Sequence, residues 1–259
     1  MTYCLALTVD AGLVFASDSR TNAGADQVST YGKMHTFERP GERVLVLLTA
    51  GNLATSQAVL GRLRRDIEDG AARSLYTVRD MPDAAEYLGR ISREEQEKHG
   101  EALTRAGFTA DASFIIGGQF RSQAPEIFLV YPQGNFITTS AQTRYLQIGE
   151  SKYGKPILDR IIARETPLGD AARCALVSID STMRSNVTVG PPLEVIVYER
   201  DRLAFEHYLC LDADDPYLAD LKAGWDANIR RAFQDLPRFD WESAGAPRGD
   251  PPHRTAPGD

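Results

Sequence analysis

Residues 1–20 read MTYCLALTVDAGLVFASDSR and contain two strand-like runs. The run TYCLALTVD alternates loosely between apolar and polar residues, and the run AGLVFASDS follows it after an Asp-Ala-Gly turn. Two strand-like runs on either side of a short turn predict a β-hairpin. If that hairpin forms, its second strand returns the chain toward its start, so that Asp18, Ser19 and Arg20 come near Thr2.

Further strands and helices follow in blocks. A second strand pair, KMHTF and RVLVLLTAG, precedes two helices, NLATSQAVLGRLRRDIEDG and MPDAAEYLGRISREEQEKHG, and the second helix is expected to end at Gly100. The strands ASFIIGGQF, EIFLVYP, NFITTS and TRYLQIG come next, and then the helices KYGKPILDRIIARE and LGDAARCALVSIDSTMRS. A last hairpin, LEVIVYERDRLAFEHYL, is predicted to turn between Glu199 and Arg202.

The order of these blocks predicts the fold class. Four strands, two helices, four strands, two helices and two strands do not alternate one for one. Such an order argues against a doubly wound parallel sheet and for antiparallel sheets with segregated helices. Two sheets stacked face to face, each with a helix pair on its outer face, would bury every apolar face. We therefore predict an α+β fold, a four-layer αββα sandwich.

Three regions are predicted along the chain. Residues 1–211 form the sandwich domain, and residues 212–241 form an appended helix whose apolar residues recur every three or four positions. This stripe consists of Leu218, Leu221, Trp225, Ile229 and Phe233. The stripe fits packing on its own subunit and also docking on a neighbouring subunit. Residues 242–259 are rich in Pro and Gly, and we expect them to be disordered.

Composition excludes several classes of function. The net charge is −7 and the pI is about 5.2, which does not indicate a nucleic-acid partner. No apolar run approaches the ~20 residues of a membrane span, and the N-terminus lacks a signal-peptide pattern, so we expect a cytoplasmic protein with no membrane partner. Cys4, Cys174 and Cys210 are far apart and odd in number, which argues against a disulfide framework or a zinc site.

The first residues suggest a different chemistry. No phosphate-binding loop, zinc-protease motif or G-x-S-x-G motif occurs, and the four histidines stand in contexts that do not suggest a triad. Removal of Met1 would give Thr2 both a hydroxyl nucleophile and an α-amine, whose ordinary pKa of about 7.7–8.0 suits a general base. A nearby lysine would favour the neutral amine, and a carboxylate would hold that lysine. Lys33 and Asp18 are the candidates.

At this point the sequence resembles a known family. The stretches TVDAGLVFASDSRTNAG, YGKM and TAGN are similar to those of proteasome β subunits and of related bacterial compartment proteases. The start MTYC, the stretches ASDSRTNAG and IGESKYGKPILDR, and the C-terminal extension resemble most the bacterial Anbu (ancestral β subunit) branch of these N-terminal-nucleophile hydrolases. The resemblance covers residues 2–210.

The resemblance implies roles for particular residues. Thr2 would be nucleophile and base in one residue, Asp18 would orient Lys33, and Lys33 would tune the amine. The spacing from Thr2 to Asp18 matches the family, whereas Lys33 comes one residue earlier than usual. The backbone N–H of Gly51, at the start of a helix after Ala50, would be the oxyanion donor, where a helix N-terminus suits developing negative charge.

Other residues follow from the same resemblance. Ser151 falls where the family often has a Gly-Ser step, although Glu150 intervenes here. Asp180 matches the family's aspartate near the amine. Its partner serine is Ser181 or Ser185, and we favour Ser185. By analogy, a small and partly polar side-chain pocket would be lined by Thr21, Thr49 and Leu53.

The resulting hypothesis is a threonine peptidase that forms an ester-linked acyl-enzyme on Thr2 and needs no metal or organic cofactor. Its substrate would be a peptide or protein. The family implies a homo-oligomer, either a ring or an open helical array, and leaves any ATPase unfoldase partner open. Two alternatives remain: an amidase acting on a small specialised substrate, and a non-catalytic assembly or scaffold protein.

Overall fold

The computed structural model describes residues 2–22 and 28–242. Its strands are β1 Tyr3–Val9, β2 Gly12–Asp18, β3 Arg20–Asn22, β4 Val28–Thr30, β5 Met34–Arg39, β6 Arg43–Gly51, β7 Ala112–Phe120, β8 Glu126–Val130, β9 Phe136–Thr138, β10 Tyr145–Gly149, β11 Leu193–Glu199 and β12 His207–Leu211. Its helices are α1 Leu53–Glu68, α2 Met81–Arg105, α3 Lys155–Ile161, α4 Leu168–Ser185 and α5 Pro216–Gln234, followed by a 3-10 turn at Asp240–Glu242.

The hairpin predicted from residues 1–20 forms the centre of the first sheet. Cys4 pairs with Ser17 and Val9 pairs with Gly12 in antiparallel register. The sheet order is β10-β1-β2-β11-β12, so β1 and β2 have strands on both sides. Every residue of these two strands is buried. Their near-continuous apolar sequence follows, because both faces of the sheet are covered.

The second sheet has the order β5-β6-β7-β8-β9, and all its neighbouring strands are antiparallel. It stacks on the first sheet through an apolar cluster that includes Phe15, Leu48 and Ile115. Helices α3 and α4 cover the outer face of the first sheet, where Leu5, Ala175 and Ile179 share a cluster. Helices α1 and α2 cover the second sheet, where Leu45, Leu63 and Leu88 share a cluster. The four-layer αββα prediction is confirmed.

The central layer fixes the two sheets relative to each other. A fully buried Leu, Ile or Phe side chain stabilises a fold by about 1.5–3 kcal/mol. A cluster of such residues joins the two inner faces, so side chains that project from opposite sheets are held at a defined separation. The geometry of the candidate active site depends on this separation, because the site takes residues from both sheets.

Three details differ from the sequence-based expectations. A short hairpin, β3 with β4, was not predicted, because three-residue polar strands carry no apolar alternation. Helix α2 continues past Gly100 to Arg105, where the Thr104 hydroxyl donates to the Gly100 carbonyl (2.8 Å). A glycine inside a helix costs only about 1 kcal/mol, which such contacts offset. The last hairpin turns over residues 200–206 rather than 199–202.

Helix α5 lies within the predicted appended region. The Asp215 side chain caps it by accepting the backbone N–H of Leu218, and Leu218 is the buried residue of the helix. Lys222 and Asp226 of α5 face charged residues of α4. The predicted disordered tail lies outside the described residues from position 243 onward. No helix of the described ranges is both long and apolar enough to cross a membrane.

Candidate active site

The site is built around the Asp18 carboxylate at the end of β2. The backbone N–H of Tyr3 donates to Asp18 Oδ1 at 3.0 Å, which places Thr2 at the edge of this carboxylate. Lys33 Nζ donates to the same oxygen at 2.7 Å and to the Arg20 carbonyl at 2.6 Å. The structure therefore brings together three of the predicted residues.

Lys33 reaches Asp18 from the opposite sheet. It immediately precedes β5, whereas Asp18 ends β2. The contact therefore crosses the interface between the two stacked sheets, rather than joining neighbouring strands of one sheet. The side chains are 6% and 0% exposed, so the ion pair is shielded from water.

Opposing effects act on Asp18. Burial raises the pKa of its carboxyl above the ordinary value, while the Lys33 ammonium and the N–H groups of Tyr3 and Gly190 act in the opposite direction. Gly190 donates to Oδ2 at 3.2 Å. These donors stabilise the carboxylate form, since a buried charge persists when it is both paired and hydrogen-bonded.

Gly51 ends β6 two residues before α1, rather than starting the helix. Its φ is +106°, and a Cβ there would lie 2.4 Å from the Asp111 carbonyl oxygen, so only glycine fits. Leu48 is the last β6 residue paired with β5, and Thr49 N–H donates to the Lys33 carbonyl at 3.0 Å. The N–H groups of alternate residues in a strand point to the same side. The Gly51 N–H, two residues after that of Thr49, therefore also points to the side where Lys33 lies, just beyond the end of β5.

Ser151 lies close to Thr2 through the backbone. The Thr2 carbonyl accepts the Glu150 N–H at 2.8 Å, and the Ser151 N–H donates to the Gly149 carbonyl at 2.9 Å. Gly149 pairs with Tyr3 at the end of β10. The turn that carries Ser151 is thus fixed against the first residues of β1.

Asp180 and Ser185 have different surroundings. The buried Asp180 carboxylate contacts Arg184 (Nε, 3.3 Å) and Lys222 of α5 (Nζ, 3.9 Å). Ser185 is exposed at the last position of α4. Among the contacts of the described residues, none joins Asp180 to Asp18, Lys33 or a serine. The structure does not group these two residues with the Asp18–Lys33 pair.

The connection after α4 reaches Asp18 instead. Arg20 Nη1 donates to the Val187 carbonyl at 2.8 Å, and Ser19 and Arg20 both donate backbone N–H groups to the Gly190 carbonyl. Sequence reasoning missed Gly190. Its contribution is a backbone N–H, which no residue-type pattern reveals.

A further buried acid near Asp18, Glu194 on β11, was also missed. Its carboxylate accepts the Tyr208 hydroxyl at 2.6 Å and the Ser19 hydroxyl at 3.3 Å. It pairs with Ser17 in the sheet, one row from Asp18. A glutamate inside an otherwise apolar strand, LEVIV, was the available signal.

The predicted pocket residues lie around the same edge. Thr49 is buried beside Lys33, Leu53 is the half-buried first residue of α1, and Thr21 is half-buried on β3, next to Arg20. Within the described residues, no three His, Cys, Asp or Glu side chains are grouped to hold a metal ion. The arrangement joins Thr2, the buried Lys33–Asp18 pair and the backbone of Gly51.

Several solved structures are similar to the chain over most of its length. The chain is similar to Anbu (ancestral β subunit) from Yersinia bercovieri, with 43% identity, a TM-score of 0.86, and coverage of 92% of this chain and 98% of that chain. It is similar to the Anbu complex from Pseudomonas aeruginosa, solved as a helical assembly, with 45% identity, a TM-score of 0.88 and coverage of 93% and 100%. It is also similar to a Gly-1 mutant of Anbu from Hyphomicrobium sp. strain MC1, with 42% identity, a TM-score of 0.85, and coverage of 93% of this chain and 100% of that chain. No protein-family profile and no curated protein sequence matches the chain.

Proposed function

The chain belongs to the Anbu family of proteasome-like N-terminal-nucleophile hydrolases, and from that premise we propose that it is a threonine peptidase whose nucleophile is Thr2. One observation carries the proposal. The buried Lys33–Asp18 pair lies directly beside residue 2, with Lys33 Nζ 2.7 Å from the oxygen that also accepts the Tyr3 N–H.

The proposed reaction begins after Met1 is removed. The Thr2 hydroxyl oxygen attacks the carbonyl carbon of a peptide bond, and its proton passes to the Thr2 α-amine, directly or through a water. The Lys33 ammonium, held by Asp18, favours the neutral amine that can accept this proton. The C–N bond then breaks, the leaving amine takes the proton, and an ester joins the acyl group to Thr2.

The remaining steps use the same groups. Water attacks the ester, the acid product leaves, and a proton returns to the Thr2 oxygen. The Gly51 N–H stabilises the oxyanion in both tetrahedral intermediates, which is worth several kcal/mol when a donor is preorganised. Ser151 supports the position of Thr2 through its turn. Roles for Asp180 and Ser185 stay predictions from the family resemblance, and the described contacts of the Asp180 carboxylate are with Arg184 of α4 and Lys222 of α5.

The proposed substrate is a peptide with a small or partly polar side chain, which Thr21, Thr49 and Leu53 would contact.

The predicted compartment is still the cytoplasm. Cys4, Cys174 and Cys210 are free thiols, as in most cytoplasmic proteins.

A peptide library read by mass spectrometry tests the activity. The protein without Met1 should cleave a subset of peptides, and Thr2→Ala purified in parallel should cleave none. Equal cleavage by Thr2→Ala would contradict the proposal. Cleavage confined to small non-peptide amides would support the amidase alternative, and no cleavage of either class would favour an assembly role.

We also propose that copies of the chain associate through α5 and the residues after it. The similar Anbu complex from Pseudomonas aeruginosa forms a helical assembly. Six large hydrophobic residues are exposed along the described part of this segment: Tyr217, Ile229, Phe233, Leu236, Phe239 and Trp241. A cavity of about 540 Å³ between α4 and α5 adds a concave apolar surface lined by Leu221 and Trp225. Such a heterologous contact closes a ring or propagates a helix according to its rotation angle.

A further inference from the structure

The side chain of Tyr3 ends in a buried polar junction beneath the site. Tyr3 is fully buried, and its hydroxyl shares a hydrogen bond with Ser178 Oγ of α4 at 2.7 Å. Gln147 Nε2 of β10 donates to the same hydroxyl at 2.5 Å and to the Ser151 carbonyl at 3.3 Å. The junction thus joins β1, β10, α4 and the turn that carries Ser151.

The junction leaves no free space around the hydroxyl. A Cβ at Gly154, which precedes α3, would lie 2.2 Å from Ser178 Oγ and 2.4 Å from the Tyr3 hydroxyl oxygen. Burial raises the pKa of Tyr3 to about 12, and Tyr145 and Cys174 are the titratable groups nearby. The phenol therefore stays protonated at neutral pH and retains its hydrogen-bonding role.

The backbone of the same residue forms part of the candidate site. Tyr3 N–H donates to Asp18 Oδ1 at 3.0 Å, the oxygen that also accepts from Lys33. Tyr3 is bonded to Thr2, whose carbonyl accepts the Glu150 N–H at 2.8 Å. Tyr3 is thus held at its hydroxyl and at its amide, and Thr2 is the next residue along the chain.

We propose that Tyr3 is a positioning residue. Its hydroxyl junction with Ser178 and Gln147 fixes the position of Thr2 relative to the Asp18–Lys33 pair. The inference rests on the proposed function of Thr2. Reacting groups must be placed within a fraction of an ångström, and a misplacement of about 1 Å costs on the order of a hundredfold in rate. A residue bonded to the nucleophile transmits any shift directly.

Tyr198 provides a matched control. Its side chain is also buried, and its hydroxyl donates to Gln119 Oε1 at 2.6 Å and accepts the Leu203 N–H at 3.2 Å. It pairs with Leu13, at the opposite end of β2 from Asp18. Asp18 lies five residue steps along the strand from Leu13, or roughly 17 Å at ~3.3 Å per residue.

The test compares Tyr3→Phe with Tyr198→Phe. Each variant keeps its ring and loses one buried hydroxyl, so both should unfold at similarly reduced denaturant concentrations. The readout is covalent labelling of Thr2 by an N-terminal-threonine-directed epoxyketone, resolved into inhibitor affinity and maximal rate. Tyr3→Phe should lower the maximal rate about tenfold with affinity unchanged, whereas Tyr198→Phe should stay within about twofold of wild type. Equal rates for the two variants would overturn the proposal.

Hydrogen exchange provides a readout that does not depend on activity. In Tyr3→Phe the amide at position 3 should exchange about tenfold faster than in wild type, and in Tyr198→Phe it should not. If wild type is not labelled but this difference appears, the proposed function fails while the positioning of residue 3 stands. If exchange at position 3 is the same in both variants, the positioning role is wrong whatever the activity.

Discussion

At the scale of single residues, the site depends on how Asp18 keeps its charge inside the protein. Its two oxygens accept from the Lys33 ammonium and from the N–H groups of Tyr3 and Gly190. Isolated burial of a carboxylate costs several kcal/mol, and an ion pair with additional donors offsets that cost. The same contacts that hold the carboxylate also place the ammonium next to residue 2.

This balance predicts a non-additive double-mutant cycle. Lys33→Met leaves Asp18 buried without its cation and should lower the free energy of unfolding by about 3–5 kcal/mol. Asp18→Asn combined with Lys33→Met should cost clearly less than the sum of the single substitutions, because the uncompensated charge is then absent. Denaturant unfolding of the three variants measures the coupling.

The exposed Arg164–Asp10 pair serves as the control. Its N···O distance is also 2.7 Å, but its side chains are 62% and 51% exposed. Arg164→Met should therefore lower the free energy of unfolding far less than Lys33→Met does. Additive effects of the Asp18 and Lys33 substitutions would mean that the two side chains are not coupled as the distance implies.

At the scale of secondary-structure elements, the sequence predicted what apolar periodicity encodes. The central hairpin formed as expected, and α4 runs over Leu168–Ser185, the same stretch that was predicted as a helix. The β3–β4 hairpin was missed because its short polar strands have no such periodicity. The β11–β12 connection was misplaced because its turn, with positive φ at Asp201 and Leu203, has none either.

Helix α5 is the element whose surface predicts an interface. Phe233 lies on α5 and is 72% exposed. Phe108 lies outside α5, between α2 and β7, and is 65% exposed. Burying a phenylalanine contributes about 1.5–3 kcal/mol, so Phe233→Glu should weaken self-association at least about tenfold. Analytical ultracentrifugation over a concentration series measures this. Phe108→Glu is the control, and equal dissociation by both variants, or by neither, would contradict an α5 interface.

At the scale of the whole molecule, the candidate site exists only when both sheets are stacked. Asp18 ends a strand of one sheet and Lys33 precedes a strand of the other, and the apolar layer between the sheets sets their separation. Sequence motifs and family resemblance pointed to Thr2, Asp18 and Lys33, whose side chains carry the proposed chemistry. They did not identify Gly190 or the Tyr3 junction, whose contributions are a backbone N–H and a contact across four elements.

The proposed function requires that Thr2, once Met1 is removed, acts as a nucleophile beside the Lys33–Asp18 pair. The most direct measurement is the intact mass of protein purified from the cells that make it, before and after an N-terminal-threonine-directed epoxyketone, with the adduct mapped by fragmentation. We expect a chain that begins at Thr2 and gains one inhibitor on that residue, with no gain in Thr2→Ala. A chain that retains Met1 and gains no inhibitor would contradict it.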